Sequence, residues 1–152
     1  NKENNISKLD VLPNYLRKYN TEFNYLFSQI WICAQTTTEL GPDQIYNFSN
    51  NMRKFFEVYS YFKYPSDQDK SVFREKFFDS ENNLNHFKLV DRIANEYSHA
   101  EEIFDRTMKP ISSQEMISAA KFILERLKAN DLTQYNALVQ STKDIREENE
   151  EY

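Results

Sequence analysis

The sequence predicts an all-α protein, and two observations support that prediction. The 152 residues include one glycine, Gly41, whereas average usage predicts about ten in this length. β-Hairpin turns and the loops of doubly wound α/β folds use glycine where φ must be positive, so the shortage argues against both classes. Apolar residues also recur at intervals of three and four, which is the period of an amphipathic helix. We therefore expect one antiparallel bundle of five to six helices.

The first two predicted helices are long. The first begins near Pro13, a residue favoured in the first turn of a helix, and continues to at least Trp31. Its apolar positions are Leu12, Tyr15, Leu16, Tyr19, Phe23, Leu26, Phe27, Ile30 and Trp31. The segment Gly41–Asp43 interrupts the pattern and caps the second helix. That helix runs to about Tyr64, because the residue before Pro65 avoids the α region. It buries Ile45, Phe48, Met52, Phe55, Phe56, Tyr59 and Phe62.

The third and fourth predicted helices lie on either side of an Asn-rich break. Ser66 and Asp69 can start a short helix that continues through Phe78. The break covers Asp79–Asn85. The fourth helix then turns Phe87, Val90, Ile93, Ala94 and Tyr97 inward, and helical phase places His86 on the same side.

The fifth helix has the clearest start. Pro110 closes the preceding segment, and Ser112 with Glu115 forms a capping box. Ile111 and Met116 have the spacing of the hydrophobic staple. We expect the helix to bury Met116, Ala119 or Ala120, Ile123 and Leu127 and to stop at Asn130-Asp131. A weaker sixth helix follows around Leu132–Val139, and residues 1–9 and 146–152 are expected to fray.

Composition excludes several functions. A single glycine cannot build the G-x-x-x-x-G-K-[ST] or G-x-G-x-x-G nucleotide loops. Cys33, His86 and His99 are too few for a zinc site built from Cys and His, so no cofactor is expected in this chain. No apolar run approaches 18 residues, and the amino terminus has no signal-peptide core. We expect a cytoplasmic protein with no membrane contact and, because it starts at Asn1 rather than Met, a piece of a longer chain.

Two groups of polar residues are candidates for chemistry. On the fourth helix, Arg92, Asn95, Glu96 and His99 share the side opposite the apolar stripe. On the second helix, Arg53 and Glu57 are i,i+4 neighbours beside the apolar stripe. Taken separately, each group is more commonly ordinary solvated surface, and the net charge of −5 gives no reason to expect a broad nucleic-acid surface.

Together the two groups supply the parts for RNA cleavage without a metal. His99 is a base near neutral pKa that can take the 2′-hydroxyl proton. Arg53 can hold the phosphate, and Glu57 can orient it or donate a proton. Cleavage of this kind leaves a 2′,3′-cyclic phosphate and a 5′-hydroxyl, because the attacking group belongs to the RNA.

Residues 92–99, RIANEYSH, resemble the R-x(4–6)-H signature of the HEPN superfamily, whose helical bundles dimerise and cut RNA without metal. Residues 51–57, NMRKFFE, followed by His99, are similar to the R-x3-E…H arrangement of the RloC- and PrrC-like anticodon nucleases. Residues 12–27 and 62–65 look similar to the C-terminal regions of RloC-like bacterial defence ATPases. The resemblance covers about residues 10–105.

This resemblance implies a catalytic set of His99, Arg53, Glu57, Arg92 and Asn95. His99 would be base or acid, and Arg92 and Asn95 would brace the pocket. It also implies a homodimer that cleaves tRNA or another structured RNA in anti-phage defence. An ATPase domain or subunit would accompany it, and ATP would bind only there. The alternative is a non-catalytic helical module for oligomerisation or partner binding, in which the same polar stripe is an interface.

Overall fold

The computed structural model describes residue 19 and residues 21–65, 70–96 and 111–150. These residues form six helices and contain no strand. The helices are α1 (Glu22–Gln35), α2 (Pro42–Lys63), α3 (Lys70–Phe78), α4 (Leu84–Glu96), α5 (Ser113–Asn130) and α6 (Leu132–Glu150). The all-α prediction is confirmed for the described residues, whose six helices agree with the five to six that were expected.

The start of α1 corrects the first predicted helix. The helix begins at Glu22, because Thr21 is its N-cap in an extended conformation (φ −146°) and the Thr21 hydroxyl accepts a hydrogen bond from the Asn24 N–H at 3.2 Å. A capping residue outside the α region interrupts any continuous helix from Pro13 to Trp31. The apolar positions before residue 19 lie outside the described residues.

Helix α2 matches the second predicted helix in its bounds. Pro42 occupies its first turn, and the side-chain oxygen of Gln44 accepts a hydrogen bond from the Gly41 N–H at 2.9 Å. Within the predicted stripe Ile45 is partly buried, Phe62 is 78% exposed and the other residues are buried. Phe62 lies in the last turn of a 22-residue helix that is longer than the 14-residue α1 packed along it. The end of the apolar stripe on α2 therefore extends beyond the helix that packs along it.

The later helices confirm their predicted caps. The backbone N–H of Glu115 donates to the Ser112 hydroxyl at 3.2 Å, and the Ser112 N–H donates to the Glu115 carboxylate at 2.8 Å. Ile111 and Met116 are both buried. Helix α5 stops at Asn130 as expected, whereas α6 continues to Glu150, well past Val139. Residues with high helix propensity such as Glu, Lys and Arg sustain this extension, and Leu138 and Thr142 are buried along it.

The core is built mainly from α1, α2 and α5, which pack against one another. Aromatic rings fill much of it. Phe55 is fully buried, stacks on Phe23 with centroids 4.9 Å apart, and lies parallel to Tyr59 at 6.0 Å. Helix α4 packs on both α2 and α5, which confirms the predicted contact between the second and fourth helices. That contact positions the candidate site.

Candidate active-site cleft

A cleft of about 540 Å³, counting its part open to solvent, lies where α2, α3 and α4 meet. Its lining combines charged side chains with an aromatic floor. The lining residues are Arg53, Phe56, Glu57 and Ser60 from α2, Phe73 and Arg74 from α3, and Ala94 and Asn95 from α4. The two groups singled out in the sequence therefore meet at one cleft through three of their members, Arg53, Glu57 and Asn95.

The α2 wall presents a guanidinium and a carboxylate. Arg53 Nε lies 3.9 Å from Glu57 Oε1, and both side chains are about half exposed. One turn further on, the Ser60 hydroxyl donates to the Glu57 carbonyl oxygen at 3.0 Å. An exposed i,i+4 pair of this length stabilises a helix by only a few tenths of a kcal/mol. The pair therefore contributes little to stability, and both charged groups remain about half exposed at the cleft.

The opposite wall is organised by Asp91. One oxygen of its carboxylate lies 2.8 Å from Arg74 Nη2, and the other accepts a hydrogen bond from Asn95 Nδ2 at 3.2 Å. A single carboxylate thus holds an arginine from α3 and an amide from α4 at the edge of the cleft. Neither Arg74 nor Asp91 was predicted. The i,i+4 spacing of Asp91 and Asn95 was a usable signal, whereas Arg74 has no local partner to indicate its role.

The floor of the cleft is apolar. Phe56 and Phe73 are buried, with 7% and 4% of their surface exposed. Phe56 makes ring contacts with Phe77 at 5.3 Å and Phe78 at 5.1 Å, and Phe73 packs on Tyr64 at 5.3 Å. Because electrostatic interactions strengthen where the dielectric constant is low, an anion resting on this floor is attracted to the arginines more strongly than it would be in open solvent.

Arg92 does not line this cleft. Its Nη1 lies 3.4 Å from Glu115 Oε1, so it joins α4 to the capping box at the start of α5. Arg92 and Asn95 are three positions apart and lie about 60° from each other on one side of α4, but Arg92 reaches Glu115 of α5 whereas Asn95 donates to Asp91. His99 lies outside the described residues, as do Tyr97 and Pro110.

His86 was expected on the inward side of the fourth helix, and that expectation is wrong. The residue is exposed, and its ring stacks at 4.9 Å on Phe122 of α5. The position is near the beginning of α4, where the helix covers the side of α5 instead of entering the core. The imidazole therefore contributes an edge contact and is separate from the residues of the cleft.

Two other reactive groups are protonated at neutral pH. Burial, together with the neighbouring Asp131 and Tyr64, raises the pKa of the Tyr59 hydroxyl to about 12. Burial alone raises the pKa of the Cys33 thiol to about 12. A phenol or thiol with such a pKa is a poor base and a poor nucleophile at pH 7. Neither residue is a base or a nucleophile at neutral pH.

Within the described ranges, no group of three or more His, Cys, Asp or Glu side chains is arranged to hold a metal ion. None of the described helices is both long enough and apolar enough to cross a membrane.

Comparison with protein families supplies the class of the chain. Residues 1–125 match the family model described as "AAA domain", and the chain therefore belongs to this family. The expected relationship to an ATPase is thus confirmed at the level of the family. The 152 residues do not contain the G-x-x-x-x-G-K-[ST] loop, because Gly41 is their one glycine. No curated protein and no solved structure shows significant similarity to the chain.

Proposed function

We propose that this chain is a ribonuclease domain of the AAA family that cleaves RNA without a metal ion. The observation that supports the proposal is the meeting of Arg53 and Glu57 from α2 with Asn95 from α4 at one cleft. The HEPN-like and anticodon-nuclease-like motifs of the sequence involve these same residues. The family match adds an ATPase relationship, which is what the resemblance to RloC- and PrrC-like proteins implies.

The proposed reaction is an internal transfer within the RNA. His99, the fourth residue after Asn95 in the sequence, takes the proton of the 2′-hydroxyl, and the 2′-oxygen attacks the adjacent phosphorus. Arg53 holds the phosphate and stabilises the charge that develops on its oxygens. The Glu57 carboxylate orients the guanidinium of Arg53 through their ion pair, and the imidazolium of His99 gives its proton to the departing 5′-oxygen. The bond from phosphorus to that oxygen breaks, leaving a 2′,3′-cyclic phosphate and a 5′-hydroxyl.

The remaining parts of the proposal concern partners. The substrate class is tRNA or another structured RNA, and the biological role is anti-phage defence. Two copies of the chain pair, and an ATPase domain or subunit binds ATP and controls the nuclease. Asn95, held by Asp91, braces the cleft. Arg92 supports the contact of α4 with α5 through Glu115.

The test is cleavage of total RNA in the presence of EDTA, followed by mapping of the ends. Wild-type chain should give 2′,3′-cyclic phosphate and 5′-hydroxyl ends. His99→Ala, Arg53→Ala and Glu57→Ala should each abolish cleavage, because each removes one part of the reaction. Lys54→Ala is the matched control, since Lys54 is exposed beside Arg53 but does not line the cleft. Equal cleavage by wild type and His99→Ala would refute the assignment of the site.

A second candidate function is supported by a different observation. At the end of α2, Tyr61 is 70% exposed and Phe62 is 78% exposed, and their rings contact each other at 5.7 Å. Neighbouring exposed aromatic rings are typical of partner-binding surfaces, which fits a non-catalytic module. Tyr61→Ser with Phe62→Ser should then reduce self-association or binding of the ATPase part in sedimentation. If the wild-type chain also fails to cleave RNA, the hypothesis of a non-catalytic binding module replaces that of a nuclease.

A further inference from the structure

The wall opposite Arg53 holds a second arginine that the proposed reaction does not use. Arg74 has 26% of its side chain exposed, less than the 47% of Arg53, and lines the same cleft from α3. It follows Phe73, whose burial in the floor fixes the backbone at this point. The contact of Arg74 Nη2 with Asp91 fixes the position of its guanidinium group. Arg74 is thus the less exposed of the two arginines, and its guanidinium is held by an ion pair.

We propose that Arg74 is a second phosphate-contacting residue, so that Arg53 and Arg74 hold the backbone of a single-stranded RNA from opposite walls. This inference rests on the proposed ribonuclease function. A guanidinium has five N–H donors in a planar fork. The contact through Nη2 orients that fork, and Asp91 thereby acts as a positioning residue.

The charge of the lining indicates the kind of phosphate. Arg53, Arg74 and Glu57 line the cleft with a formal charge of +1 from 2 − 1, and the Asp91 carboxylate paired with Arg74 at its edge brings the sum to zero. A phosphodiester carries one negative charge, whereas a terminal phosphate monoester carries close to two at pH 7. The carboxylate of Glu57 repels the second charge. The cleft therefore suits an internal phosphate of an RNA chain better than a free phosphate or a phosphorylated end.

The ordinary explanation of Arg74 is a structural ion pair that joins α3 to α4. The two explanations differ in what Asp91→Asn does. This variant removes the ion pair but keeps the guanidinium in the cleft. If Arg74 only joins the helices, Asp91→Asn and Arg74→Ala have the same effect on RNA binding. If Arg74 contacts phosphate, Arg74→Ala reduces the salt dependence of RNA binding, whereas Asp91→Asn leaves that salt dependence unchanged.

The experiment measures binding of a single-stranded 2′-O-methyl hexanucleotide by fluorescence anisotropy at several NaCl concentrations. The methyl group blocks attack by the 2′-oxygen, so binding is observed without cleavage. Arg74→Ala should weaken binding about tenfold, which is the loss of roughly one charged hydrogen bond. It should also reduce the slope of log affinity against log salt by about 0.7, the value for one phosphate contact on a single strand. Asp91→Asn should keep the wild-type slope, and Lys54→Ala should keep both slope and affinity.

The outcomes separate this inference from the proposed function. If wild type binds the hexanucleotide and cleaves unmodified RNA while Arg74→Ala binds with wild-type affinity and slope, the role of Arg74 is refuted and the nuclease stands. If Arg74→Ala and Asp91→Asn lose slope equally, Arg74 acts only through the ion pair and the inference is again refuted. If wild type neither binds the oligonucleotide nor cleaves RNA, both proposals fail.

Discussion

Two substitutions of Asp131 should separate the stabilisation by a helix cap from the stabilisation by an ion pair. The Asp131 backbone N–H donates to the Leu127 carbonyl at 2.8 Å and ends α5, and its Oδ1 accepts from the Gln134 N–H at 3.1 Å at the start of α6. Its other oxygen pairs with Lys63 Nζ at 2.7 Å at the end of α2. Asp131→Ala removes the side-chain cap and the ion pair together, whereas Asp131→Asn removes only the charge.

The expected magnitudes follow from these contacts. Loss of an N-cap side chain costs about 1 kcal/mol. The ion pair is partly exposed, with Lys63 at 42% and Asp131 at 21%, so we assign it about 0.5 kcal/mol. Asp131→Ala should lower the free energy of unfolding by about 1.5 kcal/mol and Tm by about 3–6 °C. Asp131→Asn and Lys63→Met should each cost about 0.5 kcal/mol, because both keep the cap.

The pH dependence has a definite sign. The hydrogen bond from Lys63 lowers the pKa of Asp131 below its ordinary 3.8, and the bond from the Gln134 N–H lowers it further. The hydrogen bond with Asp131 raises the pKa of Lys63 above its ordinary 10.5. The ion-pair stabilisation is therefore complete between these ordinary values. It is lost as pH falls through the lowered Asp131 pKa and as pH rises through the raised Lys63 pKa.

Urea unfolding followed by circular dichroism at neutral and acidic pH is the assay. The difference between wild type and Asp131→Asn should shrink on acidification below pH 3.8. If Asp131→Asn is as destabilising as Asp131→Ala at neutral pH, the side-chain cap contributes nothing and the reasoning is refuted. A difference that grows as the pH falls would contradict the sign of the linkage.

Three further predictions concern the core. Phe55 is fully buried among aromatic rings, so Phe55→Ala should cost about 3–5 kcal/mol, and a loss below 1 kcal/mol in urea unfolding would contradict this packing. Ser49 is 2% exposed, and its Oγ lacks a hydrogen-bond partner among the described residues. Ser49→Ala should therefore raise the free energy of unfolding by about 0.5–1 kcal/mol. A destabilised variant would show that the hydroxyl has a partner. The Cys33 thiol, buried and with its pKa raised to about 12, should react with iodoacetamide only after urea is added, and mass spectrometry showing equal rates in native and unfolded chain would count against its burial.

The parts of the fold that were predicted correctly depend on local interactions. The capping box of Ser112 and Glu115 needs residues three apart, and the stop at Asn130 needs only its own neighbours. The start of α1 was missed although its cap is also local. An apolar stripe that extended on both sides of Thr21 outweighed one capping residue in the prediction. The exposure of Phe62 could not be predicted, because it depends on how far other helices extend beside α2.

In the candidate site, too, local spacing predicted some of the residues, whereas other contacts depend on how the helices pack. Arg53 and Glu57 could be predicted as a pair, and their approach to Asn95 followed from packing the second helix on the fourth. The place of Arg74 in the cleft could not be predicted from the sequence, because its partner Asp91 lies 17 positions away on another helix. Arg92 was grouped with Asn95 by helical phase, yet Glu115 at the start of α5 is its partner. Helical phase gives a direction, and only the packed structure shows which neighbour lies there.

The hydrogen bonds that hold the end of α3 on α5 determine how the cleft can change shape. The Phe77 carbonyl oxygen accepts from Arg126 Nε and from Asn130 Nδ2, each at 3.0 Å, so two side chains of α5 hold the end of α3. Helix α3 touches α2 through aromatic rings such as Phe56 and Phe77, and rings can slide where directional hydrogen bonds cannot. A displacement of α5 relative to α2 would therefore carry Arg74 with it and leave Arg53 behind. The distance between the two guanidinium groups thus depends on the relative position of two core helices, so a shift between those helices changes the width of the cleft.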